Sequence, residues 1–190
     1  MFSKELINNQ NVEVYGLGFA GLTLAASLSN VGHNVTGIDI NLNLINLLNN
    51  GEVPIHEPGL SDLIIKMRNS NKLRFLTKPS SDQNRFFIIC VGTPVDSEGN
   101  ADLSYLLEVL QIISTRIKKD DVIMLRSTVP LGTTRKFAKN HLEKSGLRAG
   151  EDFHLAFTPE RTIEGNAMKE IKYLPQIVGG LTPKCCEIAG

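Results

Sequence analysis

The stretch that decides the fold is Val12-Glu13-Val14-Tyr15-Gly16-Leu17-Gly18-Phe19-Ala20-Gly21-Leu22. Val12 to Tyr15 reads as a short apolar run that meets glycines at once, which suits a buried parallel strand. From Phe19 to Val31 the spacing turns helical, with Leu22, Ala25, Ala26, Leu28 and Ser29 able to share a face, and Gly32 ends the helix. A GxGxxG string has a mechanism only between a strand and a helix, and it lies there. Gly16 permits the tight turn, Gly18 lets a pyrophosphate approach the backbone, and Gly21 lets the helix pack close to the strand. Leu17, Phe19 and Ala20 complete the loop, and the helix N-terminus offers free N–H groups to phosphates.

The next strand, Asn34 to Ile40, carries an acid near its end, Asp39, at the distance where such a group meets an adenine ribose. A carboxylate there accepts hydrogen bonds from both ribose hydroxyls and repels a 2′-phosphate. The expected cofactor is therefore NAD rather than NADP.

Working outward, strand and helix patterns keep alternating. Helix is expected over Leu42–Asn50 and Gly59–Asn69, with a loop at Pro54–Pro58 between them. Lys72–Leu76 and the apolar Phe86–Val91 read as strands, the latter running into Gly92-Thr93-Pro94. Leu103–Ile117 reads as an amphipathic helix with Asp102 as its cap, followed by a strand at Val122–Leu125, a helix at Thr133–Glu143 and a strand at Phe153–Phe157. A new helix begins within Leu181–Gly190. This order predicts an α/β, Rossmann-type, doubly wound and mainly parallel sheet with helices on both faces. Ligands of such sheets bind beyond the carboxyl ends of the strands, so Val91, Gly92, Thr93 and Pro94 join the cofactor-binding set.

Composition excludes several classes. Of 190 residues, 42% are hydrophobic and 21% charged, an ordinary balance for a globular domain. Twenty basic residues balance twenty acidic ones, so nothing points to a nucleic-acid partner. No apolar run is long enough to span a membrane. The start, Met1 to Asn11, lacks the pattern of a signal peptide. Cys90, Cys185 and Cys186 are odd in number and two are adjacent, which is no disulfide framework; a reducing, cytoplasmic setting is expected. Cys90, inside an apolar strand, is expected to behave as a small buried hydrophobe. No metal site is expected.

Further strings add specificity: Glu57-Pro58-Gly59-Leu60, Ser127-Thr128-Val129-Pro130, Gly132-Thr133-Thr134, and Pro159-Glu160-Arg161 with Glu164-Gly165. Together with the glycine loop and Gly37-Ile38-Asp39, they resemble the family of UDP-glucose, UDP-N-acetylhexosamine and GDP-mannose 6-dehydrogenases, from about Asn11 to Gly180. The resemblance implies a double oxidation of a sugar C6 alcohol to the acid with two NAD, through a cysteine-bound thiohemiacetal and thioester. It implies that Thr128 holds a water near C6, that Glu160 and Glu164 are the paired glutamates of that chemistry, and that Ser127, Thr128 and Glu164 also meet the cofactor. Glu160 and Arg161 fall on the substrate side. Arg161 resembles the relatives acting on UDP-N-acetylhexosamines, although UDP-glucose and GDP-mannose stay open. Its guanidinium would donate to a phosphate or pair with Glu160 or Glu164. The spacing of the two glutamates lets both face one pocket if the segment is helical, while Gly165 argues for a loop.

Two positions depart from the family pattern. Leu44 stands where many relatives carry a cation, weakening the expected hold on NAD, and His56 replaces an aromatic residue before Glu57. The family's catalytic Cys-x-Pro motif does not occur in these 190 residues. The resemblance therefore implies an NAD-binding domain over residues 1–180, the start of the interdomain helix at 181–190, and an enzyme whose remaining parts, including the region that makes it a homodimer, lie beyond. The chain alone is expected to be inactive. A stand-alone NAD-binding module is the alternative of a different class. A dehydrogenase of the 6-phosphogluconate or hydroxyacid type leaves FTPERTIEG unexplained.

Overall fold

A computed structural model describes residues 10–80 and 85–190. Most of the reading of Met1 to Asn11 lies outside the described residues. The chain divides into two compact units, Met1–Arg85 with Arg161–Pro175, and Phe86–Glu160 with Gln176–Gly190.

In the first unit β1 (Asn11–Tyr15), β2 (Asn34–Ile38) and β3 (Leu73–Leu76) are parallel, with β2 in the middle. Every residue from Val12 to Tyr15 and from Val35 to Ile38 is buried, so both strand faces are covered. The run in β1 is not wholly apolar: Glu13 is 0% exposed, and the Tyr15 hydroxyl donates to its Oε2 at 2.6 Å. A buried carboxylate keeps its place only with such donors. The helix α1 (Phe19–Asn30) packs on β2 and beside α3 (Leu60–Asn69), burying Leu22, Ala25, Ala26 and Ser29 as expected, with Thr23 and Leu24 in addition, while Leu28 of the expected face is only half-buried. The shorter α2 (Leu42–Asn50) is capped by the Asn41 side chain, which accepts from the Leu44 N–H. The first unit is completed by α6 (Ala167–Tyr173), a helix absent from the sequence reading, which also packs on α1.

In the second unit β4 (Phe86–Ile89), β5 (Val122–Leu125) and β6 (His154–Phe157) are parallel, and a two-residue β7 (Gly179–Gly180) pairs antiparallel with β6. β4 stops at Ile89, so Cys90 and Val91 belong to the loop rather than to the strand. α4 (Ser104–Ser114) is shorter than expected, and Asp102 Oδ1 accepts from the Ser104 N–H at its start. The stretch expected as one helix, Thr133–Glu143, is a π-helical turn over Thr133–Ala138, then α5 (Lys139–Leu142), then a 3₁₀ turn over Glu143–Ser145. The last helix, α7 (Pro183–Ala189), falls within the expected Leu181–Gly190, and the structure shows Thr182 capping it and Pro183 in its first turn. It packs on β5 and β6 and buries Cys185.

Two glycines separate a hard constraint from a soft one. A Cβ on Gly180 would lie 2.5 Å from the Cys186 backbone nitrogen, whereas one on Gly37 would meet the Leu17 side chain at 2.8 Å and that of Phe75 at 3.0 Å. Side-chain ends yield and backbone does not. Gly37→Ala should cost about 1–3 kcal/mol by overpacking, and Gly180→Ala more. Urea unfolding of both variants checks the order; equal losses would show that β7 shifts freely away from α7.

Candidate functional site

In the first unit the turn after β1 is held from β2. Gly16 has φ +86°, which only glycine adopts without strain, and its N–H donates to the Ile38 carbonyl at 2.8 Å. One residue further the ladder passes to a side chain: the Leu17 N–H donates to Asp39 Oδ2 at 2.8 Å. Asp39 Oδ1 accepts from the Asn41 N–H at 2.9 Å. Each carboxylate oxygen keeps a further lone pair for a ribose hydroxyl. Gly18 opens α1 without a side-chain cap, so the amides of the first turn face outward. A Cβ on Gly18 would meet nothing within 4 Å, and the same holds at Gly92. At neither position does the protein's own packing demand glycine, which fits a ligand lying against the backbone. Leu17 is fully buried in this turn, Gly21 is buried in α1, and Phe19 and Ala20 are half-buried at the start of that helix. Leu44 sits in the first turn of α2, and His56 is exposed.

In the second unit the tips after β4 and β5 are stitched together. The Ser127 hydroxyl donates to the Val91 carbonyl at 2.6 Å, and the Arg126 and Ser127 N–H groups both donate to the Ile89 carbonyl. The Thr93 hydroxyl donates to the Thr128 carbonyl at 2.5 Å. Beyond it, the Asp102 N–H closes the loop onto the Pro94 carbonyl. These bonds leave the Thr128 side chain exposed at the tip. Ser127 and Thr93 thus spend their hydroxyls on holding the loops.

Glu160 is also held. Arg126 Nε and Nη2 reach its Oε2 at 2.9 and 2.7 Å, with side-chain exposures of 6% for Arg126 and 16% for Glu160. Arg126 Nη1 donates to Gln176 Oε1 at 3.3 Å. Leu125 and Phe157 are register partners, so Thr128 and Glu160 each lie three residues past the ends of adjacent parallel strands. Arg126 was missed in the sequence, although a cation ending the run Val122-Ile123-Met124-Leu125 was a signal.

Glu164 and Arg161 fall in the first unit. Glu164 is exposed in a turn, not a helix, so the loop alternative holds. The Arg161 guanidinium donates to the Pro175 carbonyl at 2.8 Å. Cys90 retains some exposed surface, yet burial pushes its thiol up to about 12; the nearby Arg126 pulls it down, and Glu160 adds to the rise. It is no nucleophile at neutral pH. Cys185 is fully buried, with its sulfur 3.8 Å from His154 Nδ1.

These are the features of a dinucleotide-binding domain. Residues 10–190 match the NAD-binding domain of the UDP-glucose/GDP-mannose dehydrogenase family. Over 179 residues the chain is 33% identical to a UDP-N-acetyl-D-mannosamine dehydrogenase of Pyrococcus horikoshii, covering 94% of this chain and 43% of that protein. The solved structure of the UDP-D-ManNAc dehydrogenase from that organism superposes with a TM-score of 0.91 at 33% identity, over 95% of this chain and 43% of that one. A GDP-mannose dehydrogenase from Pseudomonas aeruginosa, solved as a ternary complex, gives 0.86 at 32% identity, over 94% and 42%. The chain belongs to this family, has its Rossmann-type fold and carries its NAD-binding domain. It spans less than half the length of these relatives.

Arg126→Ala leaves Glu160 without its cation and should cost about 3 kcal/mol in urea unfolding, part of it recovered by Arg126→Lys; no loss would mean the pair is solvated. Cys90 should resist alkylation well past 9.0, the ordinary thiol value, because its own lies at about 12. Since the folded value is the higher, stability linked to this thiol is intact below pH 9.0 and is lost as pH rises toward about 12. Site-resolved mass spectrometry across pH reads the first effect; half-maximal reactivity near the ordinary value would contradict it.

Proposed function

We propose that the protein to which this chain belongs is a nucleotide-sugar 6-dehydrogenase, oxidising the C6 alcohol of a UDP-sugar to the uronic acid with two NAD. The observation that carries this reading is the pair of tips past β5 and β6, which present an exposed Thr128 and a carboxylate, Glu160, fixed by Arg126. In this reading NAD, when bound, accepts the hydride. Gly16, Leu17, Gly18, Phe19, Ala20 and Gly21 take the pyrophosphate on backbone amides, and Asp39 takes the adenine ribose. Val91, Gly92, Thr93, Pro94 and Ser127 border the dinucleotide. Thr128 holds the water near C6, Glu160 assists thioester hydrolysis, and Glu164 meets the nicotinamide side and the same water. A carboxylate acts on a water only within hydrogen-bond reach, and a fixed Glu160 meets that demand better than a free one.

An N-acetylhexosamine is the favoured sugar. Arg161 in the Pro159-Glu160-Arg161 string supports this, as do relatives named UDP-N-acetyl-D-mannosamine dehydrogenase. UDP-glucose and GDP-mannose are the competing substrates. In this reading residues 1–180 are the cofactor domain and 181–190 the start of the interdomain helix, with α7 itself packed on β5 and β6, and the whole works as a cytoplasmic homodimer. No helix among the described residues is long and apolar enough to cross a membrane.

Calorimetric titration tests the cofactor assignment. NAD should bind more tightly than NADP, and Asp39→Ala should cost roughly 1.5–3 kcal/mol, the scale of hydrogen bonds to a charged group. Tighter binding of NADP would sink the assignment. The substrate is tested by kcat/KM across the three sugars in the complete enzyme, where a clear preference for UDP-glucose would show that Arg161 does not report it.

A further inference from the structure

The string Glu57-Pro58-Gly59-Leu60 has no role in the chemistry above, yet its geometry is specific. Pro58 and Gly59 (φ +81°, ψ −5°) are the central residues of a turn closed by the Leu60 N–H donating to the Glu57 carbonyl at 3.1 Å. This is a type II turn, with proline and glycine where that turn requires them. Leu60 anchors it in the core at 0% exposure. The turn aims the Glu57 side chain inward, where the residue is 6% exposed.

Its two oxygens accept from two backbone amides more than a hundred residues away: Oε2 from the Gly165 N–H at 2.7 Å, and Oε1 from the Met168 N–H at 3.1 Å. Met168 is the second residue of α6, whose own cap residue, Asn166, makes no side-chain bond to the helix. Glu57 therefore supplies the cap that the local sequence leaves out. On the other side of Glu164, the Ile163 N–H donates to Glu170 Oε2 at 2.7 Å. The amides on both sides of Glu164 are thus tied to carboxylates, and the tie through Glu57 is the buried one.

We propose that Glu57 is a positioning residue for Glu164, holding the turn that presents it. The inference rests on the reading of Glu164 as a group that meets the nicotinamide half of the cofactor. A stability role alone would weaken every part of cofactor binding together, whereas a positioning role touches one half only.

The test uses the full chain and two probes, NAD and AMP, titrated into wild type, Glu164→Ala, Glu57→Ala, Glu57→Gln and the Glu57→Ala, Glu164→Ala double variant. Glu164→Ala and Glu57→Ala should each weaken NAD roughly tenfold and leave AMP unchanged, the factor expected when hydrogen bonds to a charged group are lost. The double variant should bind NAD no more weakly than Glu164→Ala alone, because Glu57 acts through Glu164. Gln retains one acceptor oxygen, so Glu57→Gln should fall between wild type and Glu57→Ala. If Glu57→Ala does not fold, Glu57→Gln still reports, with faster hydrogen exchange at the Gly165 or Met168 amide beside its weaker NAD binding. Equal losses for NAD and AMP, or additive losses in the double variant, would overturn the proposal. So would unchanged NAD binding in Glu57→Ala beside a weakened Glu164→Ala. An unchanged Glu164→Ala would instead refute the reading of Glu164, and this inference with it.

Discussion

The turn after β1 is held by two successive hydrogen bonds, from the Gly16 N–H to the Ile38 carbonyl and from the Leu17 N–H to Asp39 Oδ2. The pairing of β1 with β2 ends at Tyr15 and Ile38. Past Gly16, whose N–H still donates to the Ile38 carbonyl, the Leu17 amide takes a side-chain acceptor, and a free turn would cost conformational entropy each time a ligand ordered it. Asp39 extends the ladder by one side-chain rung. The same carboxylate is the group expected to select NAD. The carboxylate that holds the Leu17 amide is thus also the group proposed to recognise the ribose.

The pattern recurs. Glu57 holds the Gly165 and Met168 amides, Glu170 holds that of Ile163, Asp121 that of Lys118 and Asp152 that of Arg148. Glu160 differs in taking a guanidinium, and the reason lies in its surroundings. It is mostly buried beside a charged partner, where a lone carboxylate would be costly. Carboxylates in this chain thus fix irregular backbone, where regular hydrogen bonding has run out, both before strand starts and beyond strand ends. The balanced net charge conceals this local use.

The parts legible in the sequence were those with a period or a local partner. Val12–Tyr15 into Gly16, most of the α1 face and a helix within Leu181–Gly190 are all read within one turn or strand of the chain. α6 was not legible because its cap lies at Glu57, and β7 because two glycines have no strand pattern. The Thr133–Glu143 stretch has helical spacing, but only the fold shows that it begins as a π-helical turn. Of the site, Gly16, Gly18 and Asp39 follow from spacing, whereas the Arg126–Glu160 pair joins residues 34 apart and required the register of β5 and β6. Ser127 and Thr93 were read as ligand contacts, and the structure adds that their hydroxyls hold the loops.

Asp39 preforms the glycine turn before any cofactor arrives. Hydrogen exchange at the Leu17 amide, measured without ligand in wild type and in Asp39→Ala, tests it most directly. The account predicts a protected amide in the free wild-type chain and fast exchange in the variant. An amide that exchanges freely in wild type and gains protection only when NAD is added would contradict it.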